Sequence, residues 1–234
     1  MTSEILIKDK EIVVPGQELA RGMDYLPTQG AFREGELILS HYLGIASVNG
    51  RFLKVIPLNG RYIPKVDDTI IGKVIDIGFY GWMLDIRCAY RAVLSLRETS
   101  SFIEKSEDLT KYYDHGDLIV AKISKVTKQN AVDVTTKGPG LKKLIGGKIL
   151  EVTPSKVPRM IGKQGSMISM IKEATGCNVI IGQNGRVWIK GESSDKENLV
   201  SDIILKIDQE SHIDGLTDKI KKMLESKKWL LKKD

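Results

Sequence analysis

Residues 154–176 read PSKVPRMIGKQGSMISMIKEATG, and this run decides how the C-terminal third of the chain is built. Pro154-Ser155 marks a helix start, with Ser155 as the expected N-cap. The helix is short, because Gly162-Lys163-Gln164-Gly165 interrupts it after Ile161. Beyond the glycines, Met167, Ile168, Met170, Ile171 and Ala174 recur at helical spacing, and Gly176 is placed to end this second helix. Upstream, Lys148 to Val152 reads as a strand. Downstream, Asn178 to Ile181 and Val187 to Lys190 flank Asn184-Gly185, a hairpin signal because both turn residues tolerate positive φ. A long helix is expected from Ser194 to Asp208, with Leu199, Val200, Ile203, Ile204 and Ile207 on its apolar face. A last amphipathic helix runs from Leu216 to about Leu231. The order is β-α-α-β-β-α with one further helix.

A Gly-x-x-Gly loop between two helices turns the backbone sharply and lets it approach a ligand closely. It also opens the second helix, whose first amides and positive dipole end attract phosphate. Lys163 adds a mobile cation and Gln164 a neutral hydrogen-bonding group. Such a loop can clamp about four nucleotides of single-stranded RNA. The plainer alternative is a turn that only joins two helices. Arg159, just before the loop, suits either a phosphate pair or a solvated helix position. Ile161, Ile168, Ile171, Val179 and Ile181 are core candidates, while Ile161 and Ile180 fit a core or a base-contacting groove equally.

The preceding segment, residues 67–136, alternates as a small β domain. Strands are expected at 69–77, 80–86, 91–96, 118–123 and 131–135, with a long polar insertion before the fourth. Five strands so spaced fit an OB-type barrel. Trp82, Leu84 and Ile86 share one face by period-two alternation, which suits a core, although aromatic rings on a barrel also stack bases. Phe79 and Tyr80 flank a turn, and Tyr80 is the better candidate for stacking RNA. Arg87, Arg91 and Arg97 gather around the second and third strands as candidate phosphate contacts. Residues 136–140, with Gly138-Pro139-Gly140, read as a linker to the third segment at 140–234.

Residues 1–66 read as a small all-β domain of short strands. Val13-Val14-Pro15-Gly16 is strand then turn, and Asn49-Gly50 and Asn59-Gly60 are both expected to close hairpins.

Charge is uneven along the chain. Residues 1–136 carry 17 Lys and Arg against 18 Asp and Glu, whereas residues 137–234 carry 19 against 12. A basic C-terminal part suggests a polyanion partner, or else a solvated lysine-rich helix. The two cysteines, Cys88 and Cys177, lie far apart, and a structural zinc site needs about four ligands. No metal or cofactor is expected. His41, His115 and His212 sit in no motif, and no nucleophile elbow, Walker loop or His-Glu-x-x-His occurs. The paired acids Asp67-Asp68 and Glu34/Glu36 are cheapest as turn and strand-edge residues. Met1 to Lys10 lacks a basic stretch followed by an apolar one, so no secretory signal and a cytoplasmic location are expected.

Taken together, the segments resemble the exosome RNA-binding cap subunits of the S1/KH type, the ribosomal-RNA-processing protein four family. Tyr62-Ile63-Pro64-Lys65-Val66-Asp67-Asp68-Thr69-Ile70-Ile71-Gly72-Lys73-Val74 resembles that family's entry into its S1-type OB domain. Val13 to Gly16 resembles its N-terminal motif, and Gly162 to Ile168 its KH loop. The short termini are similar to those of archaeal members. The resemblance implies a ring-docking N-terminal β domain (1–66), an S1 domain (67–136) and a type I KH domain with a C-terminal helix (140–234). It implies a non-catalytic role, with three copies capping a ring of RNase PH-like subunits and feeding it single-stranded RNA for 3′-to-5′ phosphorolysis. It implies RNA contacts at Gly162, Lys163, Gln164, Gly165, Arg159, Tyr80, Arg87, Arg91 and Arg97. Two departures weaken stacking on the barrel face, since Met83 and Ser95 stand where the S1 pattern has an aromatic and a histidine. Rival readings are an S1/KH factor of transcription antitermination or translation, and a nuclease with scattered acidic ligands.

Overall fold

The computed structural model describes residues 3–104, 107–211 and 215–226. The chain divides into two compact units, residues 1–60 and 61–234.

The described part of the first unit contains β1 (Glu4–Ile5), β2 (Ile12–Val13), β3 (Glu18–Arg21), β4 (Leu26–Pro27), β5 (Ala31–Glu34), β6 (Leu37–Ser40), β7 (Gly44–Asn49) and β8 (Phe52–Pro57). They form two four-stranded sheets, ordered β1-β3-β6-β5 and β2-β7-β8-β4. Alternation sets what each strand buries. Ile38 and Ser40 point inward from β6, Leu53 and Val55 from β8, and they pack with Val13, Leu19 and Ala46. Buried Ser40 is satisfied, because its hydroxyl donates to the Tyr42 carbonyl at 2.7 Å.

Val13-Val14-Pro15-Gly16 forms the expected strand end and turn, with Gly16 at φ +80°. The first hairpin also forms, one residue later than Asn49-Gly50 suggests. Asn49 pairs with Phe52, so Gly50-Arg51 makes the turn, and of the two only Gly50 has positive φ. Asn59-Gly60 closes no hairpin. It follows β8 in a bend, and the next strand, β9 (Thr69–Gly78), joins a different sheet.

The second unit opens with a closed barrel of β9, β10 (Gly81–Asp85), β11 (Arg91–Ser95), β12 (Leu118–Val126) and β13 (Val132–Thr135). Ten-residue β9 serves both neighbours, pairing with β10 and with β12. β13 closes the ring, antiparallel to β12 and parallel to β11. A short strand, β14 (Lys143–Leu144), adds to β12 immediately after the linker. Trp82, Leu84 and Ile86 fill the barrel as their alternation predicts. Ile103, Leu109 and Tyr113, from the segment before β12, join the same core. There Tyr113 meets the Trp82 ring edge-on at 5.0 Å, and its carbonyl accepts the indole N–H at 2.8 Å. Tyr62 roots the chain in the same core. Burial, and its hydrogen bond to Asp68 at 2.5 Å, hold the phenol protonated far above its ordinary range.

The rest of the unit follows the order read from sequence: β15 (Lys148–Glu151), α1 (Val157–Ile161), α2 (Ser166–Thr175), β16 (Asn178–Ile181), β17 (Arg186–Lys190), α3 (Ser194–Glu210) and α4 (Leu216–Ser226). The antiparallel sheet runs β15-β17-β16. Val157, Met160, Met167 and Ile171 from the short helices pack with Leu199, Val200, Ile203, Ile204 and Ile207 of α3 against Val179, Val187 and Ile189 of the sheet. Ser155 is not the cap of α1. It lies inside a 3-10 turn, Pro154–Lys156, which the chain enters through Thr153. Ala174, although at helical spacing, faces solvent. Gly176 ends α2 at φ +68°, as expected. The expected continuation of the last helix toward Leu231 lies outside the described residues. No helix among the described residues is long and apolar enough to cross a membrane.

Candidate nucleic-acid interface

Gly162 to Gly165 forms an exposed elbow between α1 and α2. Gly162 sits at φ +77°, Gln164 at +52° and Gly165 at +80°. Three left-handed residues in four reverse the chain, and the Gly165 N–H closes onto the Gly162 carbonyl at 3.2 Å. A Cβ on Gly162 would stand 2.7 Å from the Met167 backbone nitrogen, so glycine is needed there for space as well as for φ. A Cβ on Gly165 would meet nothing within 4 Å. Lys163 and Gln164 are exposed, and nothing among the described residues pairs with Lys163. Gly165 is the N-cap of the ten-residue α2 and brings no side chain to the first amides. The Ser166 N–H is taken by the Lys163 carbonyl, and the α2 amides that follow it, a dipole end and a mobile ammonium converge where a phosphate can reach them. Arg159 is exposed in the last turn of α1.

On the barrel the candidates separate. Tyr80 is 75% exposed in the β9–β10 turn, and Arg97 lies in the exposed 3-10 turn Leu96–Glu98 that follows β11. Both line one cleft. Arg91 is at the other end of β11, opposite Asp85, with its guanidinium 3.3 Å from the Met83 sulfur. Trp82 is 1% exposed and belongs to the core.

Arg87 is engaged elsewhere, which corrects the expected arginine cluster. Its Nη1 donates to the carbonyls of Val152 at 2.6 Å and Gly185 at 3.1 Å, and its Nε lies 3.3 Å from Glu151. These residues belong to the third segment, so Arg87 ties the barrel to it. The seam is built around Gly182-Gln183-Asn184-Gly185, the β16–β17 turn. Asn184 is fully buried. Its amide donates to the carbonyls of Ile71 at 2.9 Å and Ile86 at 3.1 Å, and its oxygen accepts from the Ile71 N–H at 3.2 Å. Arg186, 7% exposed, donates to the Asp85 carbonyl at 2.7 Å and pairs with the Asp85 carboxylate. Desolvation alone would push the Asp85 carboxyl up, but hydrogen bonds from Arg186 and the Arg87 amide bring it below its ordinary range. Apolar packing completes the seam, with Trp188 and Ile180 against Ile71, Val120 and Leu144. Ile180 is thereby settled as a packing residue, and Ile161 packs against the core of the third segment.

Comparison with known proteins agrees with this arrangement. A family model for the S1 domain of RRP4 matches residues 61–125, and a KH domain model matches residues 147–195. The exosome complex component Rrp4 of Thermococcus kodakarensis is 45% identical over 230 residues, covering 96% of this chain and 88% of that protein. The Rrp4 of Pyrococcus abyssi is 45% identical over 229 residues, covering 95% and 85%. A crystal structure described provisionally as an exosome complex RNA-binding protein superposes with a TM-score of 0.66 at 32% identity, covering 73% of this chain and 99% of that one. With the S1 barrel and KH region in the expected order and relatives matched almost end to end, this chain belongs to the Rrp4 family of exosome complex components.

Proposed function

We propose that the chain is an RNA-binding cap subunit of an archaeal exosome, without enzymatic activity of its own. It captures single-stranded RNA and passes it to a ring of RNase PH-like subunits that degrade it from the 3′ end. The observation that carries this reading is the open Gly162-Lys163-Gln164-Gly165 elbow, with exposed Lys163 at the amides of α2. Arg159, Tyr80, Arg91 and Arg97 extend the contact surface, while Arg87 acts by holding barrel and KH region together. Residues 1–66 dock on the ring, a role supported by exposed apolar side chains such as Ile12, Met23 and Phe52 in so small a unit. The barrel spans residues 67–136 and the KH domain 140–234. Three copies around one pore raise the effective concentration of weak single sites. The complex works in the cytoplasm and needs no cofactor.

The test is Lys163→Asp combined with Gly165→Asp in the assembled particle. RNA capture is expected to fall by at least about tenfold, as one carboxylate replaces the Lys163 cation and a second is set at the phosphate-facing end of α2. Ring assembly should be intact. Unchanged RNA binding by the assembled particle overturns the clamp.

A further inference from the structure

The sequence holds three Asn-Gly steps, at 49–50, 59–60 and 184–185. Each is chemically disposed to deamidate. Glycine has no Cβ to shield its own nitrogen, so that nitrogen can reach the carboxamide carbon of the asparagine before it. The structure gives the three steps very different freedom to react. Asn184 is fully buried, with its amide donating to the Ile71 and Ile86 carbonyls and its oxygen accepting from the Ile71 N–H. The attacking atom is held as well, since the Gly185 N–H bonds the Gly182 carbonyl at 2.9 Å. Asn49 is exposed, but it is the last residue of β7 and lies in register with Phe52 of β8. Ring closure needs the asparagine to turn out of the extended conformation, which strand pairing resists. At Asn59-Gly60 neither restraint is present. Both residues are exposed, in the bend after β8. Among the described residues no hydrogen bond holds the Asn59 carboxamide or the Gly60 N–H. Gly60 sits at φ +142°, and a Cβ there would meet nothing within 4 Å.

We propose that Asn59 is a site of spontaneous backbone modification, converted to aspartate and isoaspartate while Asn49 and Asn184 are spared. The Gly60 nitrogen bonds to Asn59 Cγ, its proton passes through water to the departing amine, and ammonia leaves. A cyclic imide remains, and water opens it at either carbonyl. Cleavage of the Cγ–N bond gives aspartate in a normal chain. Cleavage of the other C–N bond gives isoaspartate, whose main chain runs through Cβ and Cγ. Water is consumed and ammonia released, with no oxidant or reductant. Either product puts a carboxylate where a neutral amide stood, next to the last residue of the first compact unit. The isoaspartyl form also adds a methylene to the backbone there. Its free α-carboxylate is the group an isoaspartyl carboxyl methyltransferase takes as substrate.

The test incubates the folded full-length chain in mildly alkaline buffer and maps its peptides by mass over time. Exchange of NH2 for OH raises the mass of a converted peptide, and methylation by an isoaspartyl carboxyl methyltransferase marks the isoaspartyl fraction. The Asn59 peptide is expected to convert at least about tenfold faster than those of Asn49 and Asn184. In denaturant the three should convert at similar rates, since each asparagine precedes a glycine. Asn59→Gln should abolish methylation of that peptide, because glutamine must close a larger ring, and should leave the melting temperature unchanged at so exposed a position. Gly60→Ala should slow conversion at least about tenfold, as the new Cβ shields the attacking nitrogen. The proposal falls if Asn49 keeps pace with Asn59 in the folded chain, or if Asn59 converts no faster than Asn184. It falls equally if Gly60→Ala leaves the rate at Asn59 unchanged. None of these outcomes touches RNA capture, so the functional reading above stands or falls on its own test.

Discussion

Two Gly-x-x-Gly turns lie twenty residues apart in the KH region and are put to opposite uses. Gly162-Lys163-Gln164-Gly165 projects into solvent, and the side chain of Lys163 has no ion-pair partner among the described residues. Gly182-Gln183-Asn184-Gly185 is plugged into the neighbouring barrel, with Asn184 fully buried. The glycines differ in the same way. A Cβ on Gly185 would stand 2.4 Å from the Val152 carbonyl oxygen, whereas one on Gly165 meets open space. The central side chains decide between these roles. A lysine cannot be buried without a partner, while an asparagine can lose all contact with water if its amide is satisfied. One motif thus presents backbone to a ligand, and its near-copy presents a side chain to another part of the same unit.

The sharpest way to break this comparison is Asn184→Ala. It leaves the Ile71 N–H and the Ile86 carbonyl without their asparagine partner at a buried seam, while the Ile71 carbonyl keeps Arg186 Nη1 at 3.4 Å. Each unsatisfied group costs about 1–3 kcal/mol, so a loss of about 4 kcal/mol is expected in chemical denaturation. If the variant unfolds like the parent, the second turn is not a structural plug.

The next effect is smaller and pairs the two turns directly. Gly165→Ala should cost about 1 kcal/mol, the strain of a left-handed residue with no clash. Gly185→Ala adds a collision with backbone and should cost about 3 kcal/mol in the same denaturation assay. Equal costs would mean that the open and plugged turns are not physically distinct.

Much of this architecture was legible because it is written in local patterns. Alternation identified Trp82, Leu84 and Ile86 as barrel core, and helical spacing placed α2 and α3 on either side of a hairpin. The seam was not legible, because its meaning is long-range. Asn184 reads as an ordinary hairpin residue until Ile71, 113 positions away, and Ile86, 98 positions away, are known to face it. Arg87 looked like one of three surface arginines for the same reason, since its partner Val152 is 65 positions distant. The paired fourth residue, Gly185, was visible, and a second Gly-x-x-Gly with glutamine and asparagine where the first has lysine and glutamine was the available hint. β14 is two residues long and carries no periodicity.

The smallest expected effect bears on the open turn alone. Lys163→Ala removes one mobile charge from an exposed position, so the stability of the chain should not change. RNA affinity should fall only modestly at physiological salt, and the magnitude of that fall is a weak diagnostic. The salt dependence is a stronger one. A lysine that neutralises one phosphate releases about 0.7 of a counterion from a single strand, so the plot of log affinity against log salt should become shallower by about that amount. A lysine that acts through packing, or through the fold of the loop, would lower affinity and leave the slope where it was. The slope therefore reports whether Lys163 meets phosphate, independently of how tightly the rest of the surface holds the strand. An unaltered slope would mean that the elbow presents its amides without its cation, and the contrast with the plugged turn would then rest on backbone exposure alone.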